Sequence, residues 1–150
     1  MRIFKKGTFA SVAGLTTTAV AALVLAVPGT AQAAPTAYWK VDCDKSAATG
    51  DAGAHDLLAT IWKSSDATKG ARASFKASSE TLSISNWSGA MMGYQLQWTT
   101  ANGSRIERTW EVDLGSGRSQ TVDFEIPEGR TVYLSVGAHG GSTAHCSGKA

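Results

Sequence analysis

The sequence predicts an all-β fold, a small antiparallel β-sandwich of seven to nine strands, and three observations carry that expectation. Four stretches between residues 91 and 137 alternate apolar and polar side chains, the period of a half-buried strand. The short connections between them, Ala101-Asn102-Gly103, Gly115-Ser116-Gly117 and Pro127-Glu128-Gly129, carry glycine at the same third place. Two cysteines, Cys43 and Cys146, stand near the two ends of the domain.

The chain opens with Arg2, Lys5 and Lys6, an apolar run from Ala19 to Val27, and then Pro28-Gly29 and Ala31-Gln32-Ala33. That order is expected of a secretory signal peptide cleaved after Ala33. The run is too short to span a bilayer core of about 30 Å, and no later segment approaches the roughly 20 apolar residues of a membrane helix. The expectation is a secreted, extracellular protein whose mature chain, residues 34–150, forms a single domain with no membrane span. Three of the 14 basic residues fall in the leader, leaving 11 against 12 acidic ones. A nearly neutral mature chain gives no bulk charge for a nucleic-acid partner.

Upstream of the alternating stretches, Tyr38 to Cys43, Leu57 to Lys63, Ala71 to Lys76 and Leu82 to Asn86 are the candidate strands. His55 to Lys63 also fits a short helix, because Leu58, Ile61 and Trp62 share a helical face. Gly50, Gly53 and the serine-rich exit at Ser64-Ser65 favour a strand. Export to an oxidising compartment predicts that Cys43 and Cys146 pair. Closing a loop of roughly 100 residues contributes about 4 to 5 kcal/mol in the chain-entropy picture.

The downstream stretches read as strands with one oily side each: Met92, Tyr94, Leu96 and Trp98; Ile106, Trp110, Val112 and Leu114; Val122, Phe124 and Ile126; Val132, Leu134 and Val136. A two-residue turn at Asn102-Gly103 would place the first two oily sets on opposite faces, since a slip of one residue inverts a strand. A three-residue loop with left-handed Gly103 pairs Trp98 with Ile106 and Tyr94 with Trp110. The same arithmetic at Pro127-Glu128-Gly129 pairs Phe124 with Val132. A four-strand meander over about 91–137 follows, its oily face buried against a second layer. The tail Gly137 to Ser142 reads as a flexible loop returning the chain to the disulfide.

In that meander the outer face carries Gln97, Glu107, Glu125 and Thr131 in one row and Gln95, Thr109, Asp123 and Tyr133 in the next. Glu107 facing Glu125 would repel, and so would recruit an amine or cation, or act as an acid/base pair; the simpler reading is a solvated polar face. Arg108 stands on the oily side between Ile106 and Trp110, either stacked on aromatics at a cleft or snorkelling at a sheet edge. Trp87, in Ser85-Asn86-Trp87-Ser88-Gly89, sits where the chain turns and is the tryptophan expected at the surface. Trp87, Arg108, Glu107, Glu125 and Tyr133 are therefore the candidate binding residues.

No HExxH, phosphate loop, dinucleotide fingerprint or GxSxG is present, so no cofactor is expected. Asp42, Asp44, Asp51 and Asp56 lack the glycine and closing glutamate of a calcium hand. Asn86-Trp87-Ser88 and Asn102-Gly103-Ser104 match the N-glycosylation pattern, which matters only in a eukaryotic secretory host. Two functions suit these features: a non-catalytic module binding a glycan or other extracellular polymer, and a small inhibitor or protein-interaction domain presenting the loop near Trp87. A hydrolase using Glu107 and Glu125 ranks behind both, since it needs a cleft between them.

Overall fold

The computed structural model describes residues 38–150; the expected leader and its cleavage site lie outside the described residues. Nine strands follow in order: β1 Trp39–Ala47, β2 His55–Lys63, β3 Asp66–Lys76, β4 Thr81–Asn86, β5 Met92–Thr99, β6 Ile106–Leu114, β7 Arg118–Asp123, β8 Thr131–Ala138 and β9 Thr143–Lys149. A single 3-10 turn, Ala77–Ser79, separates β3 from β4. The strands form a five-stranded sheet, β1-β2-β3-β4-β7, and a four-stranded sheet, β6-β5-β8-β9. All neighbours are antiparallel. No helix among the described residues is long and apolar enough to cross a membrane.

The core lies between the sheets. Leu57, Ala59, Ile61, Ala73, Phe75, Leu82 and Ile84 come from one, and Met92, Tyr94, Leu96, Val132, Leu134 and Val136 from the other, all buried. Their period of two is the one the alternation predicts. His55–Lys63 is a strand, as its flanking glycines and serines suggest.

The disulfide forms between Cys43 on β1 and Cys146 on β9, with Cα atoms 5.5 Å apart. Because β1 and β9 are edges of different sheets, the bond fastens one margin of the sandwich across its thickness. The tail expected as a loop contributes β9, whose Ala144, Cys146 and Gly148 are buried on alternate positions. Its alternation was hidden because small residues and a cysteine, rather than large aliphatics, supply the inward side.

Three of the four alternating segments are strands as read, but in the third only Val122 lies in a strand, β7, while Phe124 and Ile126 lie beyond it; the four are not a meander, and Val132 pairs with Trp98 instead of Phe124. β7 leaves the sheet of its neighbours and pairs with β4, while β8 pairs with β5. The turn 115–117 and the segment 124–130 therefore cross between sheets instead of closing hairpins. Gly103, Gly117 and Gly129 do adopt positive φ, at 69°, 77° and 76°. Turn chemistry thus reports a reversal without saying whether the next strand lands beside the last one or across the core from it.

Two side-chain brackets, one buried and one partly buried, hold these crossings. Asn86 at the end of β4 is 2% exposed and donates from Nδ2 to the carbonyls of Leu114 at 2.6 Å and Ala90 at 2.8 Å. Its Oδ1 accepts the Ser88 amide at 2.9 Å. One side chain thereby ties the exit of β6 to the corner between β4 and β5. At the opposite end Glu80, at φ 49°, accepts the Phe124 amide on its carbonyl at 3.0 Å and the Ile126 amide on Oε2. An unmet buried amide or carbonyl costs about 1 to 3 kcal/mol, so such anchors decide where the chain crosses.

The β5–β6 hairpin keeps the expected parity from Met92 to Trp98 but shifts register by two residues, and beyond its bulge the expected Trp98–Ile106 pair is lost, leaving Ile106 opposite Thr99 and exposed. Trp98 stands opposite Arg108, Leu96 opposite Trp110 and Tyr94 opposite Val112, with a bulge before Thr99 and Ile106. The loop runs from Thr100 to Arg105, closed by the Thr100 amide on the Arg105 carbonyl at 3.0 Å. Asn102 Oδ1 accepts from the Ser104 amide at 3.1 Å and from the Thr100 hydroxyl at 2.7 Å. These side-chain bonds favour the wider loop over a three-residue one.

Candidate functional site

The outward positions of the four-stranded sheet fall into rows set by the ladder. Asp113, Gly93, Gly137 and Thr143 form one row; Glu111, Gln95, Ser135 and His145 the next; Thr109, Gln97, Tyr133 and Ser147 a third. In the first row the two central strands contribute only glycine. Glycine inside a strand marks close approach of another group. Here a Cβ on Gly137 would lie 2.5 Å from Thr143 Oγ1, and one on Gly93 would lie 3.3 Å from Asp113 Oδ1.

The result is an open depression of about 600 Å³ at this end of the sheet, its rim raised by His139, Gly140 and Gly141 of the β8–β9 turn. His139 Nε2 reaches Asp113 Oδ1 at 3.0 Å, joining the two ends of the wall. Gln95 donates from Nε2 to the Glu111 carboxylate, and Ser135 Oγ lies 2.8 Å from His145 Nδ1. Gln97 Nε2 donates to Thr109 Oγ1 at 3.1 Å. These contacts orient carboxylate, amide, hydroxyl and imidazole groups, and the carboxylates keep further lone pairs for a ligand. Among the described residues, no lysine or arginine lines the depression.

Beneath the floor, the Tyr94 hydroxyl donates to the Ser85 carbonyl at 2.8 Å, and burial holds its pKa well above the usual phenol range. Far from the site, Asp66 is held below the usual carboxylate range by the Thr68 hydroxyl and amide. Among the described residues, no group of three or more His, Cys, Asp or Glu is placed to hold a metal ion. Asp56 accepts instead from Lys76 and from the Ala77 amide.

The residues singled out from sequence are dispersed. Tyr133 lies on the outward face of β8, 40% exposed, in the row beside Gln95 and Ser135. Glu107 sits at the β6 bulge with Oε2 3.3 Å from Arg130 Nη1, an ion-pair distance at which that nitrogen makes no hydrogen bond. Glu125 belongs to the crossing after β7, so the expected Glu107–Glu125 opposition does not form, and Asp123 pairs with Thr81 in the other sheet. Arg108 is exposed on β6, an edge strand. Trp87 occupies the β4–β5 corner, 39% exposed, followed by Met91 at 55%. Asn86, the residue of one glycosylation pattern, is buried and fully engaged.

The sequence reading passed over Glu111, Asp113, His139, His145 and the paired glycines. The signal available was Gly93 and Gly137, each interrupting a strand pattern. Comparison with protein-family models, with curated proteins and with solved structures finds no match to this chain.

Proposed function

We propose that the protein is a non-catalytic binding module that holds an extracellular glycan on the outer face of its four-stranded sheet. The observation that carries this reading is the glycine-floored depression, ringed by Gln95, Glu111, Asp113, Ser135 and His145, with the Tyr133 ring exposed in the adjoining part of the face. A sugar presents hydroxyls that donate and accept, which oriented amides, carboxylates and imidazoles match. Its apolar C–H face suits an exposed aromatic ring with a polar tip. An open, shallow surface on rigid strands fits a polymer that passes along it.

Among the described residues the lining contains two carboxylates and neither lysine nor arginine, which favours a neutral or amine-bearing saccharide over uronates, sulfated or phosphate-linked polymers. The test is a glycan array followed by calorimetry with the selected oligosaccharide. Binding of neutral or amino sugars that falls at least tenfold in Tyr133→Ala supports the reading; binding confined to anionic polymers, or unchanged in that variant, refutes it.

A second reading, a protein-interaction domain presenting its corner near Trp87, draws support from the exposure of Trp87 and Met91 on a loop pinned by Asn86 and Ser88. Trp87→Ala separates the two: it would remove partner binding while leaving glycan binding intact.

A further inference from the structure

We infer that β1 pairs edge to edge with β1 of a second copy, antiparallel and centred on Val41, giving a two-fold dimer. Among the described residues β1 has a neighbour on one side only, β2. Val41 and Cys43 stand opposite the buried Ile61 and Ala59 and so face the inner side of their sheet, yet both are exposed, Val41 at 44%. A strand added at the free edge, beside the margin that the Cys43–Cys146 bond holds, would cover Val41.

The backbone has the matching polarity. The Tyr38 carbonyl accepts the Ser64 amide at 2.9 Å, directing that residue's groups toward β2. The Cys43 amide instead donates to its neighbour's Asp42 Oδ1 at 2.9 Å. Alternation along a strand then turns the amides and carbonyls of Trp39, Val41 and Cys43 to the free edge. Pairing through Val41 would match Val41 with itself and Trp39 with Cys43, and the Cys43 amide would pass from Asp42 to a backbone carbonyl.

Charge selects this register. Centred on Val41, Lys40 lies opposite Asp42 of the second copy, and the two-fold axis makes that pair twice; opposite charges directly across a ladder attract, and like charges repel. Centring on Asp42 would set that carboxylate against itself. Charges on an edge strand ordinarily deter stray pairing, and here they deter every partner except a strand with the complementary order. On β6, by contrast, the outward Glu107, Glu111 and Asp113 share one sign.

An antiparallel two-fold stands normal to the sheet, so both four-stranded sheets lie on the same side and both depressions open in one direction. If those depressions hold a polymer, as proposed above, two aligned sites on one chain raise avidity without any new contact. The dimer itself does not depend on that reading.

An interface of one strand pair falls below the roughly 1,200 Å² of stable complexes, so a weak, concentration-dependent dimer is expected. Sedimentation velocity of the purified disulfide-bonded protein, from about 10 μM to 1 mM to bracket such affinities, reads it directly. The sedimentation coefficient should rise with concentration, stay at the monomer value in Lys40→Glu, and rise again in the double variant Lys40→Glu with Asp42→Lys. On β2 the facing residues are Trp62 and Thr60, neither charged, so near-UV circular dichroism should be unchanged in both variants. A coefficient independent of concentration, a dimer indifferent to Lys40→Glu, or a double variant that stays monomeric would overturn the inference.

Discussion

The two outer faces of this sandwich are built from the same alternation and end in different surfaces. On the five-stranded sheet the outward side chains answer one another across the ladder. Thr81 donates to Asp123 at 2.9 Å, Ser83 and Thr121 lie 3.4 Å apart, and Lys76 meets Asp56 at 2.7 Å. Its central positions Thr60, Arg72, Ser74 and Ser83 carry side chains, and the glycine of its outward face, Gly70, stands beside Trp62 rather than beside a second glycine. On the four-stranded sheet two facing glycines remove side chains from the middle of a row, while the surrounding carboxylates and imidazoles keep capacity beyond their internal bonds. A sheet face gains a depression where side chains are subtracted, with unmatched polar groups left around the gap.

That contrast can be broken at several levels. The largest effect is expected from reducing Cys43–Cys146, because the bond fastens the sheet bearing the site to the sheet behind it. About 4 to 5 kcal/mol of stability should be lost in urea titrations, and both faces should be lost together. Asn86→Ala removes the bracket under the crossings that end beside the depression. About 2 to 3 kcal/mol should go, since the Leu114 carbonyl loses its side-chain donor and the Ser88 amide its acceptor, and saccharide affinity should fall with it.

Gly93→Val fills the floor without demanding a left-handed backbone, and its nearest neighbour is the Asp113 carboxylate. Saccharide affinity measured by calorimetry should drop at least tenfold, with stability within about 1 kcal/mol of the parent. On the opposite face Thr121→Val breaks only an exposed hydroxyl contact. It should move stability by no more than about 0.5 kcal/mol and leave saccharide affinity where it was.

The strands of this molecule were legible because alternation of Met92, Tyr94, Leu96 and Trp98 against Gly93, Gln95 and Gln97 states which side meets the core. Their assignment to sheets was not. Val122 faces the interior whether β7 lies beside β6 or across from it, so parity is satisfied by both topologies. What decides is long-range: Asn86 capturing the Leu114 carbonyl and Glu80 capturing the Ile126 amide join residues 28 and 46 positions apart. The site was illegible for the same reason. Glu111, Ser135 and His145 share a row only because β8 sits between β5 and β9, and a meander would have set Glu107 against Glu125 instead.

The glycine-floored face is the surface proposed to meet ligand. Amide shift mapping by ¹⁵N-HSQC with a bound saccharide from the array tests this most directly. The expected result is perturbation of Gly93, Gln95, Glu111, Ser135, Gly137 and His145, with Thr60, Ser74 and Ser83 on the other sheet unmoved. Shifts gathered on the five-stranded face, or confined to the corner from Trp87 to Met91, would contradict it.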